Sequence, residues 1–309
     1  MDKLLAIVGP TAVGKSHVAL SLAKCLGGEI VSADSVQVYR GMDIGAAKPT
    51  PKERAEVPHH LIDIVEPDVY YTVADFQRDA LAVIHQIHSR GKLPILVGGT
   101  GLYTRAVIQE FTFSESGMNE IMRERLWEEA EKKGPAHLHA KLVTVDPVTA
   151  KKIHPNDLRR VIRALEVFEQ SNCSISEQAA KTSGESRYDT AMFALTMPRE
   201  KLYQRIEERV DKMMAQGLLE EVEGLLKKGV SADAKSMQSL GYRQLVACLQ
   251  GDLTLEEAVS LIKRDTRRFA KRQLTWLRRE QEITWVDCSN FDGIAAAAEN
   301  IYFQLAGKY

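Results

Sequence analysis

Read as apolar and polar positions, the chain opens on the run Leu4-Leu5-Ala6-Ile7-Val8, which predicts a buried strand. Val18, Ala19, Leu22 and Ala23 then recur at helical spacing, and Gly27-Gly28 stops that helix. Ile30-Val31-Ser32-Ala33 predicts a second strand ending at Asp34. Residues 35–51 are broken by Gly and Pro and keep no period, which predicts a loop over the carboxyl edge of the sheet, where open α/β proteins hold ligands. Leu61-Ile62-Asp63-Ile64-Val65 predicts a short third strand. Val73, Phe76, Ala80, Ile84 and Ile87 mark a helix face closed by Gly91, and Leu93-Pro94-Ile95-Leu96-Val97 predicts a strand running into Gly98-Gly99-Thr100-Gly101-Leu102-Tyr103. Strands alternating with helices through glycine-rich turns imply an α/β fold with a doubly wound parallel sheet.

From about residue 114 the pattern changes. Charged helical segments at 120–133, 136–142, 147–153 and 156–170 contain no strand signal, so 115–190 reads as an all-helical insertion domain in a core made of 1–114 and 191–309. Met192-Phe193-Ala194-Leu195-Thr196-Met197 resumes the strand pattern. Helices are expected at about 199–217, 218–228, 239–250 and 254–280, then a last strand Ile283-Thr284-Trp285-Val286-Asp287 and an Ala-rich terminal helix.

Composition narrows the class. With 309 residues, 44% hydrophobic and 27% charged, the chain can bury a large core. It has no apolar run of the roughly 20 residues a membrane span needs, and Met1-Asp2-Lys3 leads straight into the first strand, so a cytoplasmic location is expected; a monomer is expected as well. Cys25, Cys173, Cys248 and Cys288 are scattered, which argues against a zinc site or a disulfide framework. The net charge of −1 hides a segregation: Lys263, Arg264, Arg267, Arg268, Lys271, Arg272, Arg278 and Arg279 face the single acid Asp265 within 263–279. Arg264, Arg268, Lys271 and Arg278 fall near one helix face, with Ile262, Phe269 and Trp276 on another, so one face is expected to pack and the other to meet a polyanion.

The chemistry starts at Gly9-Pro10-Thr11-Ala12-Val13-Gly14-Lys15-Ser16, which has the spacing G-x-x-x-x-G-K-[ST] between a strand and a helix. Glycines let successive N–H groups turn onto an anion, the helix N-terminus adds its dipole, and Lys15 adds a full charge; Ser16 is placed to reach Mg²⁺. The spacing leaves the phosphate ester open, a nucleoside triphosphate being the default. Against that default, strand 93–97 ends in Gly98-Gly99-Thr100 with no metal-orienting acid. Asp34, at the end of the neighbouring strand, can take a proton from a nucleophile while the loop draws off an anionic leaving group.

Six blocks in order, GPTAVGKS, SADSVQVYRGMDIGAAKP (32–49), GGTGLY (98–103), HPNDLRRVIRALE (154–166), SLGYRQ (239–244) and RRFAKRQLTWLRR (267–279), resemble the tRNA dimethylallyltransferases, the bacterial tRNA isopentenyltransferases. The resemblance implies transfer of a dimethylallyl group from dimethylallyl diphosphate to N6 of adenosine 37 in the anticodon stem-loop, with Mg²⁺. It assigns residues 9–16 to the diphosphate, Asp34 to the general base, and Thr11, Lys15, Thr100 and Arg209 to the reacting groups. It places Asp34, Ser35, Val36, Gln37, Thr100, Arg123, Asn156, Asp157, Arg159, Arg160, Arg163, Gly241, Tyr242, Arg243, Gln244, Arg264, Arg268, Lys271, Arg272, Gln273 and Arg278 against tRNA. An adenylate isopentenyltransferase, a P-loop kinase of a small metabolite and a non-catalytic RNA-binding module are the competing readings.

Overall fold

The computed structural model describes residues 1–110, 119–181, 186–280 and 282–306. In chain order the elements are β1 (Lys3–Val8), α1 (Lys15–Leu26), β2 (Glu29–Ser32), α2 (Pro51–Glu56), β3 (His59–His60), α3 (Val73–Ser89), β4 (Pro94–Gly98) and α4 (Gly101–Ile108). The helices α5 (Glu120–Lys133), α6 (Pro135–Val145), α7 (Pro147–Ala150), α8 (Leu158–Ser171) and α9 (Ile175–Lys181) follow. The chain then forms β5 (Asp189–Thr196), α10 (Arg199–Ala215), α11 (Leu218–Lys227), α12 (Tyr242–Leu249), α13 (Leu255–Leu277), β6 (Thr284–Asp287) and α14 (Ile294–Ala306).

The strands form one sheet in the order β3-β2-β4-β1-β5-β6, and every neighbouring pair is parallel. β1 is central because both its faces are apolar. Leu4 and Ala6 point into a core built with α3, α4, α11, α12 and the first half of α13. Leu5 and Ile7 point into a second core with α1, α10 and α14. The period-2 geometry of a strand separates the two sets.

The expected third strand at 61–65 does not form. Leu61 (φ 61°) and Asp63 (φ 58°) are left-handed, which breaks an extended run; β3 is the dipeptide before it, and Val65 makes only an isolated bridge with Tyr39. The Asp63 carboxylate is held by Lys48 Nζ at 2.5 Å and Arg54 Nη1 at 2.7 Å, contacts made by a turn and not by a ladder. Three short helices, α2, α4 and α9, were not predicted by the periodicity; each is too short to display it.

Among the described residues the chain divides into two compact units, Met1–Ile108 with Ser186–Tyr309, and Gln109–Glu185. The expected boundary at 114/115 lies outside the described residues. The expected boundary at 190/191 cuts β5 and is corrected: the Asp189 N–H donates to the Asp2 carbonyl at 2.9 Å, and residues 189 and 190 already pair with Lys3 and Leu4. The helical unit has its own core, including Leu126, Leu138, Leu142, Val161 and Leu165.

Candidate active site

The glycine loop lies between β1 and α1. Gly9 approaches β5 so closely that a Cβ there would lie 2.7 Å from the Leu195 carbonyl oxygen. Gly14 (φ 109°) makes the left-handed step from which α1 starts, with no side chain capping that helix. Its first N–H groups are therefore left for an anion.

Lys15 Nζ donates to the Pro10 carbonyl at 2.8 Å. Burial, and then the nearby Arg209 guanidinium, lower the Lys15 pKa to about 7, with Asp34 acting against them. Burial lowers the Arg209 pKa as well, again opposed by Asp34. Among the described residues neither cation has a carboxylate within ion-pair distance. Two enclosed cations lining one cavity, neither ion-paired and with only the more distant Asp34 carboxylate acting on them, form a site organised for a multiply charged ligand. Hence a first expected outcome: Mg²⁺-pyrophosphate binding at about pH 8 takes up a proton, because the bound anion raises a lysine pKa that starts near 7. The sign follows from the direction of the shift, so affinity falls as pH rises above that value. Calorimetry in buffers of different ionisation heat measures the uptake; the same proton count at pH 6 and pH 8 would refute it.

Asp34 follows β2 at the carboxyl edge. Its Oδ1 accepts the Val36 N–H at 2.8 Å and the Gln37 N–H at 3.4 Å, which fixes the carboxylate plane. Among the described residues Oδ2 has no hydrogen-bond partner, and Asp34 borders two adjoining cavities. One contains Thr11, Lys15, Ser16 and Gly99. The other contains Ser35, Val36, Thr100 and an apolar wall of Ile206, Val210, Met213, Leu218, Leu240 and Ile262. Thr11, Arg209, Phe269 and Gln273 line both. A charged end and an apolar end thus meet at one carboxylate.

The family model described as IPP transferase matches residues 37–280. A tRNA dimethylallyltransferase from Symbiobacterium thermophilum is 53% identical over 306 residues, covering 99% of this chain and 96% of that protein. The chain belongs to the IPP transferase family. Among solved structures, the full-length tRNA isopentenylpyrophosphate transferase from Bacillus halodurans is 46% identical, with a TM-score of 0.75 over 100% of this chain and 97% of that one. A eukaryotic dimethylallyltransferase solved acting on tRNA is 31% identical, with a TM-score of 0.80 over 93% of this chain and 74% of that one. The family match begins after both the glycine loop and Asp34, whereas the relatives' coverage includes them.

In this IPP transferase several residues expected against RNA have side chains turned inward. The buried Tyr242 donates its phenol to Glu221 at 2.7 Å. Its ring fills the space left by Gly45, where a Cβ would come within 2.5 Å. Glu221, which the sequence did not single out, also accepts the N–H groups of Asp43, Ile44 and Gly45 at 2.8, 2.7 and 3.1 Å. It thereby anchors the loop that follows Asp34. Gln37 spends its amide inside that loop, accepting from Ser32 Oγ and donating to the Ala46 and Ala47 carbonyls. Gln244 accepts the Gly241 N–H and donates to Asp265. Gln273 bonds Thr11 and Gly99.

The basic stripe is also less uniform than its sequence. Lys263 pairs with Asp211, and Arg267 with Glu207, acids supplied by α10. Arg243, Arg264 and Arg268 gather around Asp265. Lys271, Arg272, Arg278 and Arg279 are exposed and have no ion-pair partner among the described residues. Phe269, expected on the packed face, is instead 36% exposed and borders the cavities, because the buried face of α13 runs through Ile262, Thr266, Ala270, Gln273 and Leu277.

Within the helical unit, Arg123 and Arg163 grip Glu166, whose side chain is fully buried. Burial pushes the Glu166 carboxyl up, but the Arg123 guanidinium, the Asn119 N–H and Arg163 together hold it below the usual range. The expected anion clamp by Arg159 and Arg163 is thus taken up on one side by an internal acid. Asp157 caps α8, accepting the Arg160 N–H at 3.4 Å, and the Asn156 N–H donates to His154 Nδ1 at 3.2 Å.

Proposed function

We propose that this enzyme transfers the dimethylallyl group of dimethylallyl diphosphate to N6 of adenosine 37 of a tRNA, as a monomer in the cytoplasm. The observation that carries the reading is the junction at Asp34 of a cationic cavity with an apolar one. The diphosphate lies along residues 9–16 under Lys15 and Arg209, and the prenyl chain and the adenine occupy the apolar side. N6 attacks C1 of the donor, and the C–O bond breaks with its electron pair going to diphosphate. The N6 proton passes to the free oxygen of Asp34. The exocyclic amine is a poor nucleophile because its lone pair is delocalised, so proton removal during attack lowers the barrier. Lys15 and Arg209 stabilise the charge that develops on the leaving oxygen.

Mg²⁺ fits the residues present in a limited sense. Among the described residues no cluster of three His, Cys, Asp or Glu could hold a metal by itself. Mg²⁺ commonly keeps water and phosphate oxygens and takes one or two protein ligands, which suits the Ser16 hydroxyl beside Lys15. When bound it would offset charge on the diphosphate.

Adenosine 37 must leave the anticodon-loop stack, at a cost of about a few kcal/mol. Ser35, Val36 and Thr100 border the space it would enter, and Lys271, Arg272 and Arg278 supply phosphate contacts that carry no sequence preference. The test incubates the protein with unmodified tRNA, dimethylallyl diphosphate and Mg²⁺, and digests the RNA for mass spectrometry. One five-carbon unit on the adenosine at position 37 is expected. Modification of AMP with none of tRNA, or transfer of a phosphoryl group from ATP, would overturn the reading.

A further inference from the structure

Helix α13 carries the exposed Arg268, Lys271 and Arg272 on one side and the buried Gln273 on the other. Both polar atoms of the Gln273 amide are engaged, each by a different loop. Its Oε1 accepts the Thr11 N–H at 2.9 Å, and its Nε2 donates to the Gly99 carbonyl at 2.9 Å. Thr11 belongs to the loop after β1, and Gly99 to the loop after β4. Glycines clear the seat: a Cβ at Gly99 would lie 2.2 Å from Gln273 Nε2, and one at Gly101 would lie 2.3 Å from the Trp276 ring, one helical turn further on. The helix is therefore keyed onto the two loops by a side chain that reaches both cavities.

We propose that Gln273 is a positioning residue that couples RNA binding on α13 to occupancy of the diphosphate loop; this rests on the tRNA prenyl-transfer reading above. The coupling has a direct physical basis. A hydrogen bond of 2.9 Å loses most of its strength when lengthened by about an ångström, so a small shift of α13 under bound RNA pulls on the Thr11 amide and the Gly99 carbonyl together. An anion that redirects the N–H groups of the glycine loop displaces the same amide from the other end. Each ligand then binds more favourably to the arrangement the other selects, and the effect is reciprocal.

The test uses the full chain, Mg²⁺-pyrophosphate and an unmodified anticodon stem-loop RNA. The affinity of each is measured alone and in the presence of the other, for the wild type and for Gln273→Met, which keeps volume and removes both bonds. In the wild type each ligand is expected to change the other's Kd by about 5-fold or more, the lower end of ordinary coupling. In Gln273→Met the factor falls to about 1, whatever the change in the affinity of either ligand alone. Thermal unfolding of the variant reports whether it folds; if it does not, Gly99→Ala, which crowds the amide from the opposite side, is expected to give the same loss. A variant that folds and keeps the wild-type coupling factor overturns the role of Gln273. A wild type that binds both ligands independently overturns the coupling and leaves the prenyl-transfer reading intact. A wild type that binds neither overturns that reading and this one with it.

Discussion

Asp34→Asn is expected to lower kcat for dimethylallyl transfer by about 10²- to 10⁴-fold, the span ordinary for a lost general base, with stem-loop affinity held within a few-fold. Asparagine is the informative substitution because of what the native side chain already does. Oδ1 of Asp34 accepts the Val36 and Gln37 N–H groups, and the asparagine carbonyl can keep those bonds, so the loop that borders the apolar cavity stays in place. Only the ability to accept the N6 proton is lost. Asp34→Ala removes both properties and is expected to add a loss of RNA affinity to the loss of turnover. Single-turnover rates with saturating RNA and donor separate the two effects. If Asp34→Asn turned over at the wild-type rate, the N6 proton would have to leave by another route.

Lys15→Met is expected to lower kcat by about 10²- to 10³-fold, comparable to the removal of one preorganised donor at a developing oxyanion. The methionine keeps the aliphatic stem in its enclosed position and deletes the ammonium that lines the cavity together with Arg209. The two cations also act on each other. Arg209 is one of the two causes that lower the Lys15 pKa, so Arg209→Gln is expected to return that pKa towards its ordinary value and to shrink the proton uptake on pyrophosphate binding at about pH 8. Its kcat should fall as well, since the leaving oxygen loses one of its two positive neighbours. Proton uptake in Arg209→Gln equal to the wild type would show that Lys15 does not sense the guanidinium.

How much of the site could be read beforehand is clear from particular residues. The glycine loop, Lys15 and Asp34 were visible because their constraint is local: a fixed spacing between a strand and a helix, and an acid at the end of the adjacent strand. Arg209 sits in a helix crowded with acids, and only its resemblance to a family position marked it. Glu221 gave no signal, because its partners are three backbone N–H groups about 180 positions upstream and backbone groups have no sequence signature. Tyr242, Gln244 and Gln273 are expected against RNA from the sequence, but their side chains bond to protein groups.

The order of apolar runs and turns determined by itself that this chain makes a parallel α/β sheet with a glycine loop after its first strand and a helical segment between two of its strands. Strand pattern and loop spacing are short-range properties, and they survive in the sequence. Tertiary structure alone decided which basic residues of α13 stay free, because the acids that neutralise Lys263 and Arg267 come from another helix. It decided equally that residues 61–65 would turn and not extend, since the groups that hold Asp63 arrive from residues 48 and 54. Charge pairing and burial act through space, and a one-dimensional pattern does not contain the distances on which they depend.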